Sequence, residues 1–380
     1  VLRVIRFMIW KQCTFILYQS VFRQGYIFSI KKKLQKSTGR LQINQNMSDE
    51  FGVINMVSVV IAAYNTEKYI AKCLESLKQQ AYTDFEAIVV VDGATDKTSD
   101  ICEEFSKQDS RFVTVCRKNG GLAAARNTGL ERCAAEYVTF VDSDDYVSPD
   151  YLKALVNAIK TNDCDISACG YILEDENGAE RYHTEYGDKL MDNEMFLNNM
   201  MVPVNRSYGA FVCNKLYKND IIRKYNIRFP DEKRYLFEDH YFNYEYMKYA
   251  KSGCCTSSCA YHYIARENTG IIRGITENNK IAEKWFHYAD VFDLIIDDSY
   301  KGFDEFKEQI KMMKVWHSST AARVLAYYGK SNTPEYKNMR RYIKENMLEY
   351  LKTPYIGAKK KIGMLLTYFT PRLAFRLWSL

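Results

Sequence analysis

The chain has 380 residues, 47% of them apolar and 26% charged, which is enough to bury a sizeable core and longer than most single domains. Its 18 Gly and 6 Pro exclude long low-complexity stretches. The net charge of +6 is uneven: nine Lys and Arg fall within residues 1–46, where there is no acid, which leaves −3 on the remainder and excludes a basic nucleic-acid-binding body.

Eleven cysteines, an odd and scattered set without a secretory signal ahead of them, fit a reducing compartment. Cys254, Cys255 and Cys259 lack paired CxxC spacing and a matching His pair, so they read as buried thiols in preference to a zinc site.

In residues 1–30, Arg3, Arg6, Lys11, Gln12 and Arg23 interrupt every apolar run before the roughly 20 residues that span a bilayer. The basic stretch ahead of the first strand has three readings: an interfacial segment, an unstructured extension, or translated sequence upstream of a start at Met47 or Met56. The last is favoured, because a clean apolar strand opens at Val57 while the preceding residues lack periodicity.

The run VSVVIAAY from Val57 is continuous and rich in β-branched residues, as in a strand buried on both faces. Ile70, Cys73, Leu74 and Leu77 then repeat at helical spacing, in a helix expected to begin around Thr66. EAIVVVDGATD gives a second strand that ends in a Gly-containing turn at Asp92, and a short helix follows with Ile101 and Phe105 inward. FVTVC (112–116) is the third strand. After Gly120 and Gly121, the Ala-rich run LAAARNTGLERC suits a helix lying close on a sheet. YVTFV (137–141) is the fourth strand and leads into DSDDYVSPDYLKALV, where Ser148 is expected to cap a helix and Pro149 to occupy its first turn.

Strands alternating with helices predict an α/β fold with a right-handed, mostly parallel sheet and a ligand site at the carboxyl ends of its strands. Glu174 to Asp188 reads as a variable segment within an irregular region that runs to about residue 275. Beyond it, WFHYADVFDLII and MMKVWHSSTAARVLAYY read as packed helices. The last stretch, from Lys359 to Leu380, has five basic residues, no acid and an amphipathic arrangement broken at Pro371. It reads as an interfacial anchor for peripheral membrane contact, with a helix docked on the protein's own core as the alternative. The expected divisions are a basic extension over 1–55, a catalytic domain over 56–275, a helical region over 276–358 and the tail over 359–380.

The chemistry concentrates at strand ends. Asp142 and Asp144 follow the fourth strand directly; an extended backbone would point both to one side, where one holds a ribose hydroxyl and the other a metal. Magnesium or manganese uses one or two protein carboxylates and fills its octahedron with phosphate oxygens and water. A solvated turn or helix cap would produce the same acidic triplet. No Gly-x-Gly-x-x-Gly turn follows the first strand, which excludes a dinucleotide-binding dehydrogenase.

Four segments in this order, VSVVIAAYNTEKYIAKCLESLKQQ, VVVDGATDKTSDI, NGGLAAARNTGL and YVTFVDSDDYVSPDYL, resemble the successive donor-site segments of glycosyltransferase family 2, which has the GT-A fold. The resemblance is strong over residues 56–155 and looser over 205–270. It implies a Rossmann-like sheet flanked by helices, a nucleotide-sugar donor with UDP favoured, Mg2+ or Mn2+, and a glycan or lipid-linked acceptor, in a cytoplasmic protein at the inner face of a membrane.

By position, the resemblance assigns Ala62, Tyr64, Glu67 and Asp92 to the base pocket, Asp142 to the ribose, Asp144 to the metal and Arg126 to the donor. Val91, Ala62 and Ala94 depart from the residues common in the family at those places. Downstream, FVCNKLYKNDII and RYLFEDHYFNYEYM resemble its acceptor-side segments, with Asp239 as general base, and His262 and Arg266 of YHYIAR are implied near the diphosphate. The competing reading is a sugar-nucleotide-binding scaffold of the same fold that lacks a working base.

Overall fold

The structure is a computed structural model and describes residues 56–184, 186–201, 209–230, 235–266, 276–277, 280–281, 283–354 and 356–378. The extension expected over residues 1–55 lies outside the described residues.

Four strands, β1 (Val57–Ala63), β2 (Phe85–Asp92), β3 (Phe112–Arg117) and β4 (Tyr137–Asp142), run parallel in the order β3-β2-β1-β4. Every residue of β1 and β2 is buried, as their unbroken apolar runs require when both faces are covered. Strand alternation divides β1 between two cores: Val60 and Ala62 face one side, and Val57, Val59, Ile61 and Ala63 face the other. The second side is covered by α1 (Ile70–Lys78), α2 (Thr98–Gln108) and α4 (Tyr151–Thr161). The first side receives α3 (Leu122–Leu130).

Helix α1 buries the four residues its periodicity singles out, but it starts at Ile70, because Thr66–Tyr69 forms a turn with the Tyr69 N–H donating to the Thr66 carbonyl at 2.8 Å. In α2 the fully buried positions are Thr98 and Cys102, with Ile101 and Phe105 half-buried at their flanks. Ser148 does not cap α4 with its hydroxyl. Asp150 occupies the N-cap, and Ser148 accepts the Tyr151 N–H through its backbone carbonyl at 3.0 Å.

Past β4 the sheet becomes mixed. Strand β9 (Lys215–Lys218) lies antiparallel between β4 and β6 (Ile166–Asp175), β6 runs parallel to the long β10 (Ser252–Ala265), and β5 (Tyr146–Val147) closes the edge against β10. The segment expected to be variable is a hairpin: β7 (Glu180–His183) folds back on β6, and β8 (Lys189–Asp192) pairs with β10.

Helices α5 (Asn193–Met201), α6 (Asn219–Lys224), α7 (Glu238–Met247) and α8 (Val291–Ile296) extend the first core. So do α9 (Asp304–Tyr327), α10 (Pro334–Lys352) and α11 (Ala358–Phe369), and α12 (Pro371–Trp378) ends the chain. One contiguous cluster runs from Val60 in the sheet to Met364 in α11, so the C-terminal helices share the sheet's core instead of building their own. Among the described residues, no helix is long and apolar enough to cross a membrane.

Candidate active site

The site forms where β2, β1 and β4 end side by side. Its first layer is a set of cross-linked loops. After β1, the Asn65 side chain accepts the Thr95 N–H at 2.8 Å, and Glu67 accepts the Lys97 N–H at 3.0 Å while its own N–H donates to Asp96 at 3.1 Å. Tyr64 stands exposed at the rim. Gly93 holds φ at +72°, and a Cβ there would sit 2.7 Å from the Asn119 backbone nitrogen, so only glycine lets the second and third loops meet.

Two of the residues assigned to the base pocket are fully buried. The Ala62 side chain is fully buried in the core, because β1 turns its even positions toward α3. The Asp92 carboxylate is also fully buried. It accepts N–H bonds from Gly120 at 3.0 Å and Gly121 at 2.8 Å and pairs with Arg117 at 3.2 Å. It therefore fixes the turn that launches α3, a role that the sequence does not show.

Arg126, from α3, is the centre of the site and is almost wholly buried. One guanidinium nitrogen donates to Glu238 at 2.7 Å and also to Asp239, another lies 3.6 Å from Asp142, and the group covers the Phe229 ring at 5.0 Å. Three carboxylates from β4 and α7 thus share one cation. Burial works against the charge on Arg126, but Asp239, Glu238 and Asp142 outweigh it and raise its pKa. Burial also pushes Asp142 up to about 7, with Arg126 pulling the other way. Asp239 is raised for the same reason, again against Arg126. Glu238 rises furthest above its ordinary range, through burial and then the neighbouring Asp239. Glu238 and Asp239 also act on each other, the contact raising the first and lowering the second.

Asp142 and Asp144 take different partners. Ser143 and Asp144 form a turn closed by the Asp145 N–H on the Asp142 carbonyl at 3.1 Å, which breaks the extended backbone. Asp142 faces Arg126, whereas Asp144 pairs with Arg266 at 2.7 Å. Arg266 also donates to the Asp144 carbonyl and lies 4.0 Å from the centre of the Tyr69 ring. Asp145, which follows, is buried and accepts the Tyr261 hydroxyl at 2.8 Å and the Ile264 N–H at 2.9 Å, tying the turn to β10. The Asp144 side chain keeps 40% of its surface open, and among the described residues no cluster of three or more His, Cys, Asp or Glu could hold an ion by itself. This donor set fits a divalent cation that takes one protein carboxylate and completes its shell with diphosphate oxygens and water.

His262 is locked, not free. Its ring stacks on Tyr146 at 4.3 Å, and its nitrogens engage Ser148 at 2.9 Å and Glu174 at 2.7 Å. Glu174 also accepts the Tyr146 hydroxyl at 2.8 Å, so the group braces β5 immediately after the acidic turn. Glu174, Tyr146 and Phe229 carry no sequence signal of this role, since an acid, a Tyr and a Phe are commonplace in strands and loops. The cysteine trio disperses: Cys254 and Cys255 face opposite cores, and the Cys259 thiol donates to the Thr184 carbonyl at 2.9 Å.

Glycosyl transferase family 2 matches the chain over residues 58–226. EpsH of Bacillus subtilis, assigned as a glycosyltransferase, is 30% identical over 267 residues, a match spanning 69% of this chain and 75% of EpsH. The chain belongs to glycosyltransferase family 2. Among solved structures, Staphylococcus aureus TarS 1–349 covers 85% of this glycosyltransferase and 91% of itself, with a TM-score of 0.59 at 22% identity. The same protein in complex with UDP-GlcNAc gives 0.53 at 18% identity, covering 85% and 90%. A mannosyltransferase of Pyrobaculum calidifontis with GDP-Man and Mn2+ gives 0.50 at 15% identity, covering 93% of each chain. At these identities the likeness is one of fold, and it agrees with the mixed sheet of this glycosyltransferase.

Proposed function

We propose that this glycosyltransferase moves a hexosyl or related sugar from a UDP-sugar to a hydroxyl of a glycan or lipid-linked acceptor in cell-surface polysaccharide synthesis, with inversion, at the cytoplasmic face of a membrane. The observation that carries the reading is the Arg126 group, which gathers the strand-end Asp142 and the distant Glu238 and Asp239 around one cation. Family membership and the UDP-GlcNAc named with TarS support the donor class.

In this reading Asp142 accepts a ribose hydroxyl, and Tyr64 and Glu67 border the base. Asp239 takes the proton of the acceptor hydroxyl while that oxygen bonds to the anomeric carbon and the bond to the diphosphate breaks. Arg126 positions Asp142 and Asp239 together and stays out of the donor's path. Asp144 would hold Mg2+ or Mn2+, whose charge would offset that of the departing diphosphate, and Arg266, paired with Asp144, would share that work.

The test is calorimetric titration of UDP with and without manganese. Manganese-dependent binding that falls at least about tenfold in Asp144→Ala, an exposed position whose loss leaves the fold intact, is expected. Binding indifferent both to manganese and to Asp144 would remove the metal from the reading, and no binding to UDP would remove the donor.

A further inference from the structure

Helices α11 and α12 are mounted inside out. On α11 the residues turned inward are Gly363, Met364 and Thr367, while Ile362, Leu366 and Phe369 face solvent, with Phe369 71% exposed. On α12 the small Ala374 is buried and Leu373 and Leu377 are each 50% exposed. Spacings of three and four residues place these side chains on one face of each helix. The orientation is held from behind: Arg372 donates to the Ala326 carbonyl at 3.1 Å, Phe375 stacks on Tyr327 at 4.3 Å, and Lys360 lies 5.8 Å from the centre of the Trp316 ring. A monomer in water seldom leaves such an apolar stripe uncovered.

Charge selects what covers it. Residues 359–380 carry five Lys and Arg and no acid. A second copy meeting this face through a two-fold axis would set Lys359, Lys361 and Arg376 against the same three cations. The chain's own residues 1–46 bring nine more and no acid. An anionic lipid surface satisfies both features, since acyl chains accept the apolar stripe and phosphate headgroups accept the cations. We propose that α11 and α12 lie on an anionic bilayer, with Ile362, Leu366, Phe369, Leu373 and Leu377 at the headgroup boundary and Lys359, Lys361 and Arg376 on the phosphates. The proposal deepens the reading of a membrane-presented acceptor, and it stands on surface chemistry separate from sugar transfer.

The experiment is flotation of the full chain with vesicles of phosphatidylcholine alone and of phosphatidylcholine mixed with phosphatidylglycerol. Binding at least about tenfold stronger to the anionic vesicles is expected, weakening as salt rises. A Leu366→Ser, Phe369→Ser, Leu373→Ser triple variant and a Lys359→Gln, Lys361→Gln, Arg376→Gln triple variant each lose at least about tenfold of it, with unchanged thermal unfolding. Equal binding to both vesicle types, no binding to either, or a dimer in solution that the serine variant dissociates would overturn the proposal. UDP titration of the same samples keeps the two readings apart, because failure there touches the donor site and leaves the lipid result standing.

Discussion

The two halves of the sheet are stabilised in different ways. In the parallel half, β1 and β2 bury every residue, and their register follows from apolar runs that fit nowhere but the middle of a sheet. The parallel half buries Glu86 and Asp92, but most of the buried charge lies in the mixed half. Lys215, on β9, is completely enclosed, its ammonium donating to the Gly209 and Phe211 carbonyls and the Asn214 side chain, and α7 opens with Glu238, Asp239 and His240 all buried. The first half tolerates small errors of volume, while the second depends on each polar group finding its partner. The candidate site lies on the seam, where Arg126 reaches from one half to Glu238 and Asp239 of the other.

Removing Arg126 breaks that contrast most severely. Arg126→Met leaves the buried Glu238 and Asp239 and the half-buried Asp142 without their cation, and urea unfolding should show a loss of about 3–5 kcal/mol with UDP binding weakened as well. A loss below about 1 kcal/mol would mean that the acids re-pair without it.

The aromatic cage behind the site gives a graded test. The His240 and His317 rings pack around Phe237, 5.6 and 4.7 Å from it, and Phe237 itself takes the left-handed conformation that starts α7. Burial lowers both imidazoles from 6.5 to about 3. Because the folded pKa lies below the unfolded one, the unfolded chain takes up protons first. Stability is therefore intact above about pH 6.5 and is lost as the pH falls from there toward 3. At about pH 4.5 each histidine should cost about 2–3 kcal/mol, and His317→Phe should remove roughly half of this acid sensitivity. Parallel pH profiles for the two proteins would show that the cage hydrates before it titrates. The smallest effect belongs to the parallel half: Ile88→Val in β2 should cost about 1 kcal/mol by thermal unfolding and leave UDP affinity unchanged.

The same contrast governs what can be read from sequence. The strands and helices through α4 are legible because apolar periodicity is local, and Asp142 and Asp144 stand out because acids directly follow a buried strand. The burial of Asp145 beside Tyr261 and Ile264, and that of Asp92 under Gly120 and Gly121, depend on contacts with residues elsewhere along the chain. Arg126 reads as a donor contact or a surface helix residue, since nothing near it announces acids more than a hundred positions away. Lys215 falls in a segment that resembles the family's acceptor side, but its complete enclosure is not written in the neighbouring residues. The helices after residue 275 are visible as helices, but their sharing of the sheet's core is a long-range fact.

Sequence distance also sets a timetable. Glu238 lies 112 residues beyond Arg126. At a synthesis rate of about 5–20 residues per second, the guanidinium waits roughly 6 to 22 seconds after its own translation before the first acid of α7 is added. During that interval the parallel strands are complete and Asp142 is present, but the proton acceptor assigned to the reaction does not yet exist. Under the roles proposed above, a nascent chain of this glycosyltransferase would have the parts to receive a nucleotide before it has the parts to use one, and would gain its chemistry only when the ribosome has passed α7.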